Sequence, residues 1–170
     1  YLAIRIAQYM HDKDLISISE DEFYQVIAGA GEDRGINDLN STILLNELTD
    51  QTALLRRNDR HELEFRHLSF QEFLVALGLS KSDAKDKVDF IIDNFEDSWW
   101  TKVLYFYCGL IQDTPDVFKK LGARLELIET HKRIYSILEF GYLVQTAYLT
   151  EINVRIGTIR IALTQFYLAV

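Results

Sequence analysis

Between residues 53 and 66 the chain changes its hydrophobic period. Upstream, Leu2, Ile6, Ala7, Tyr9 and Met10 recur at helical spacing, so 2–13 reads as a helix. In ALLRRNDRHELEFRH the pattern shortens, which predicts two strands, 53–57 and 62–66, joined by a turn at Asn58–Asp59. Downstream the helical period returns. One proline and eight glycines in 170 residues leave little room for further strands or long loops. The fold class expected is therefore mainly α. At 48% hydrophobic, the chain can bury a core for one domain or two small ones.

The elements around the hairpin give its context. Ser19-Glu-Asp-Glu22 has the form of a capping box, in which the serine oxygen takes an orphan amide and Glu22 reaches back to the cap. It opens a helix of roughly ten residues, with Phe23, Val26 and Ile27 facing inward. GAGEDRG, 29–35, reads as a flexible break. Asp38 or Asn40 then caps a third helix, with Ile43, Leu44, Leu45 and Leu48 on its apolar side. Three helices followed by a two-stranded wing outline a winged helix over 1–79. Ser69-Phe-Gln-Glu72 reads as a second capping box, starting a helix with Phe70, Phe73, Leu74 and Leu77 at i, i+3, i+4 and i+7, an apolar stripe.

Residues 80–113 supply connecting helices, at 88–95 and 98–111, the latter with an aromatic stripe of Trp99, Trp100, Val103, Leu104, Tyr107 and Leu110. Residues 114–170 are expected to form an antiparallel helical array, with helices near 115–128, 131–148 and 152–169. Pro115 suits a first helical turn. The ends, YLAIRIAQYM and FYLAV, both fall within helical patterns, so the chain is expected to be a piece of a longer protein, truncated at its C-terminus. The longest uncharged stretches run to about ten residues against the roughly 20 that a membrane helix needs, and no membrane partner is expected. The single cysteine, Cys108, lies in VLYFYCGLI and reads as a buried thiol of a cytoplasmic protein.

Charge narrows the function classes. Residues 1–113 carry 11 Lys/Arg against 21 Asp/Glu, net −10, and residues 114–170 carry 7 against 5, net +2. A winged helix invites nucleic-acid binding, yet its third helix, DLNSTILLNELTD, holds three acids and no Lys or Arg. Phosphate contacts dominate such affinity, so nucleic acid is disfavoured as a partner. The wing arginines Arg56, Arg57, Arg60 and Arg66 alternate with Asp59, Glu62 and Glu64, as pairing would require. GAGEDRG lacks the spacing of a phosphate loop. The histidines His11, His61, His67 and His131 show no metal spacing, and no nucleophile–base pattern stands out. Neither catalytic nor metal-ligating residues are expected.

His67 is the candidate site residue. It stands between the second wing strand and a helix N-terminus, where anions are favoured. The stretch FRHLSFQEFLVA resembles the F-x-H-x-S-F-Q-E-[FY]-x-A-A signature of NACHT-type STAND NTPases, with Phe65, His67, Ser69, Phe70, Gln71, Glu72, Phe73 and Ala76 matching and Val75 departing. AIRIAQYMHDKDLISISEDEF and DSWWTKVLYFYCGLIQD are similar to the helices on either side. The resemblance implies a nucleotide-switched regulatory region in innate immune or antiphage defence, not itself an enzyme. In that family the corresponding histidine reaches the β-phosphate of ADP, so His67 would hold the inactive state. ADP or ATP with Mg²⁺ would be bound mainly by an upstream NTPase core of the same chain. Activation would lead to homo-oligomers in response to an unidentified trigger, expected to be a protein. The alternatives are a winged-helix nucleic-acid regulator or a helical protein-interaction scaffold.

Overall fold

The computed structural model describes residues 1–36, 40–83, 85–111 and 115–127, with scattered positions between 136 and 167. It is mainly helical, with a small antiparallel sheet, and the chain forms two compact units, Tyr1–Gly78 and Leu79–Val170. No helix among the described residues is long and apolar enough to cross a membrane.

The first unit begins with α1, Leu2–Asp12, which buries Ile6, Ala7, Met10 and His11 on one face. Asp14, in the left-handed region at φ 55°, turns the chain into a two-residue strand, β1, Ser17–Ile18. Ser19 then caps α2, Glu20–Glu32. Its hydroxyl accepts the Glu22 N–H at 3.2 Å, and Glu22 Oε2 accepts the Ser19 N–H at 2.9 Å, so the expected capping box is formed.

Helix α2 runs further than its sequence suggests. Residues 29–32 of GAGEDRG are helical, not a break, and Ala30 and Gly31 are buried. A glycine costs a helix about 1 kcal/mol relative to alanine. Here the face is continued by burial and closed by a proper stop. Gly35, at φ +66°, donates to the Glu32 carbonyl, and the Ile36 N–H reaches the Gly31 carbonyl at 2.9 Å. These are the paired bonds of a Schellman motif, which satisfies the last orphan carbonyls.

Asn40 caps α3, Ser41–Asn46, accepting the Ile43 N–H at 3.0 Å; Asp38, the other candidate, falls outside the described residues. A π-helical turn, Glu47–Gln51, continues it. This helix buries Leu45 and Leu48, whereas Ile43, expected inward, is 63% exposed. A hairpin follows, β2 (Leu55–Arg57) and β3 (Leu63–Phe65). Its loop is longer than the expected two-residue turn. Asn58 accepts the N–H groups of Arg60 and Glu62 through its side chain, and His61 takes the left-handed position at φ 62°. The sheet has three strands, not two, in the order β1-β3-β2, because Ser17 and Ile18 pair with Glu64 and Leu63. Two residues give no readable alternation, so β1 left no mark in the sequence pattern.

The last element of this unit, α4, spans Leu68–Ser80 and carries the largest correction. It starts at Leu68, with Ser69 inside its first turn, so Ser69 is not the N-cap. The turn closes on His67, whose carbonyl accepts the Phe70 N–H at 3.0 Å. The face turned inward is Gln71, Glu72, Val75 and Ala76, while Phe70 and Phe73 are 40% and 37% exposed. Gly78 brings α4 close to α1, where a Cβ would lie 2.6 Å from Gln8 Nε2 and 2.7 Å from Ile4 Cγ2.

The second unit contains α5 (Lys85–Asp93), α6 (Ser98–Leu110) and α7 (Pro115–Leu127). Asp97 caps α6 by accepting the Trp99 N–H at 2.9 Å. Of the expected stripe on α6, Trp100, Val103 and Leu104 are buried, together with Cys108; Trp99, Tyr107 and Leu110 are half-buried. Ile91 and Ile92 of α5 and Val117, Phe118 and Leu121 of α7 are buried in the same unit. Lys120 pairs with Asp89, and Arg124 Nε donates to the Asp93 carbonyl at 3.1 Å, joining α7 to α5. The helices expected at 131–148 and 152–169 lie almost wholly outside the described residues.

Candidate functional site

His67 combines a fixed backbone with an open ring. On its N-terminal side, Arg66 donates its backbone N–H to the Leu54 carbonyl and its Nε to the Ala53 carbonyl, both at 3.0 Å. Ala53 is itself held at φ 52°. On its C-terminal side, the His67 carbonyl closes the first turn of α4. The ring is exposed and stands edge-to-face against Phe70, centroids 5.5 Å apart. Among the described residues, neither ring nitrogen has a hydrogen-bond partner. The start of α4, which follows directly, leaves orphan N–H groups of its own. The arrangement can offer an imidazole N–H and backbone donors to an anion.

Gln71, four residues on, points the other way and is fully buried. Its Nε2 donates to the Leu15 carbonyl at 3.1 Å and lies 3.3 Å from His11 Nδ1. An amide nitrogen can only donate, so His11 Nδ1 is the acceptor and its proton sits on Nε2. Gln71 Oε1 is buried with no hydrogen-bond partner among the described residues. Glu72 beside it is also buried. The Gln71–His11 bridge went unread in the sequence. The signal was there: His11 follows Ala7 by four residues, on the buried face of α1.

The charge of the hairpin is largely neutralised. Arg56 pairs with Glu64 at 2.6 Å and Arg57 with Glu20 at 2.8 Å, while Arg66 is committed to a backbone carbonyl. Glu62 accepts from the Ser17 hydroxyl at 2.7 Å and from the Asn58 amide at 3.2 Å, and these bonds hold its carboxyl below the usual range. The described residues contain no cluster of His, Cys, Asp or Glu that could hold a metal ion. No protein-family model matches the chain, and neither a curated protein nor a solved structure is significantly similar to it.

Proposed function

We infer that this region is the regulatory winged-helix and helical part of a nucleotide-switched NACHT-type STAND NTPase. In this reading, His67 contacts the β-phosphate of ADP held by an upstream NTPase core and stabilises the inactive state. ATP exchange releases that contact, and the freed protomers oligomerise. The observation that carries the reading is His67 itself: an exposed, unpartnered imidazole on a backbone clamped from both sides, at the start of the helix that bears the signature residues. Glu47 and Asp50 in the π-helical turn after α3, and the paired hairpin arginines, argue against phosphate-backbone binding to nucleic acid.

One hydrogen bond to a charged group contributes about 1.5–3 kcal/mol. Inverting a 1:99 equilibrium takes roughly 5.5 kcal/mol. His67 therefore supplies part of the switch, and packing on the core supplies the rest. The test is nucleotide content. The full-length protein is purified, denatured, and its released nucleotide identified by chromatography, for wild type and His67→Ala. Stoichiometric ADP in the wild type and little in the variant is expected. Equal ADP in both would remove His67 from the role.

A further inference from the structure

We propose that Gln71 is a positioning residue for His67, acting through its bridge to His11 and the Leu15 carbonyl; this rests on the reading of His67 as a phosphate contact. The first turn of α4 closes on His67, so the orientation of that turn sets where the imidazole points. Two things fix the turn. The clamp of Arg66 onto Ala53 and Leu54 holds the chain before it. The Gln71 amide holds the chain after it, with one N–H on α1 and the other on the segment that follows α1.

An apolar residue could fill the space of Gln71, but it could not fix a direction. Apolar packing tolerates small rotations of a helix about its axis, whereas two converging hydrogen bonds from one planar amide do not. The amide also leaves Oε1 buried without a partner among the described residues, a cost that packing alone would not incur. That the polar group sits here, at the His67 end of the helix, fits a demand for orientation. The opposite end is set by a different device, the close approach of Gly78 to Ile4 and Gln8. Movement of α1 against α4 would thus be passed directly to the phosphate-facing ring.

The experiment compares ADP retention in the full-length protein for wild type, His67→Ala, Gln71→Met and the double variant, with far-UV circular dichroism to confirm folding. His67→Ala is expected to weaken retention roughly 10- to 100-fold. Gln71→Met, which keeps the volume and removes both donors, is expected to weaken it roughly 3- to 10-fold. The double variant is expected to match His67→Ala, because a residue that acts only through His67 has nothing left to position. If Gln71→Met retains ADP like the wild type while His67→Ala loses it, the positioning role fails and the phosphate contact stands. If the two losses multiply, Gln71 acts through general stability and the proposal is overturned. If His67→Ala retains ADP, or the wild type carries none, the phosphate contact fails and takes the proposal with it.

Discussion

Replacing glycine by alanine in a helix normally stabilises it by about 0.5–1 kcal/mol, and Gly29 and Gly78 in the first unit should answer this change with opposite signs. At Gly29 in α2 an added Cβ meets nothing within 4 Å. Gly29→Ala should therefore gain about 0.5–1 kcal/mol. At Gly78 in α4 the same methyl would stand 2.6 Å from Gln8 Nε2 and 2.7 Å from Ile4 Cγ2. The Gln8 amide is the far end of a flexible chain and can swing aside. The Ile4 methyl cannot, because a β-branched side chain in a helix has one strongly preferred rotamer. Overpacking of this kind costs about 1–3 kcal/mol. After the propensity gain, Gly78→Ala should lose about 1 kcal/mol net. Tryptophan fluorescence is the wrong probe, since Trp99 and Trp100 both lie in the second unit. Amide hydrogen exchange resolves the elements. Gly78→Ala should speed exchange of the protected α1 and α4 amides about fivefold, and Gly29→Ala should slow that of α2 by about two- to fivefold. Slower exchange in both variants would mean that α1 and α4 stand further apart than the contact with Ile4 requires.

Gly35→Ala should destabilise by about 1 kcal/mol although space is open around it, because φ +66° is costly for any residue with a Cβ; an unchanged urea midpoint would contradict the Schellman closure. Cys108 is buried and its thiol is pushed up to about 12, so the native protein should resist a thiol reagent at mildly alkaline pH and react fully once unfolded. The Ser19 backbone N–H, then its hydroxyl, hold the Glu22 carboxyl below its usual 4.5. Its stabilising effect is complete above that value and is lost as pH falls through the lowered one, so the stability gap between wild type and Glu22→Ala should close on acidification; a gap independent of pH would exclude the carboxylate as its source.

Most of what the sequence made legible follows a local rule, although the Ser69–Glu72 box, equally local in form, is not the cap of α4. The Ser19–Glu22 box, the Asn40 cap, Pro115 at the start of α7 and the hairpin follow from side chains within a few residues of the backbone they serve. What could not be read depended on partners far along the chain. The stop of α2 was misplaced because Gly29 and Gly31 resemble a break until burial of Ala30 and Gly31 is known. The most buried face of α4 depends on contacts of the same kind. Apolar spacing aligns Phe70 and Phe73 with Leu74 and Leu77, whereas the fully buried face is built from Gln71 and Glu72 followed by Val75 and Ala76. A buried glutamine at that position is tolerable because His11 and the Leu15 carbonyl wait across the interface for its amide. The open ring of His67 was legible as a position, not as a geometry.

The order of the small sheet has a consequence for how the first unit assembles. Its central strand, β3, is the last to leave the ribosome, and its two neighbours differ greatly in separation along the chain. Pairing β2 with β3 closes a short loop, whereas Ser17 can meet Glu64 only after α2 and α3 have been looped out, a closure that costs about 2 kcal/mol more in chain entropy. The hairpin should therefore nucleate early and β1 should dock late. Since the late contact drags α1 with it through Leu15 and Ser17, completing the sheet and seating Gln71 on α1 become a single cooperative event.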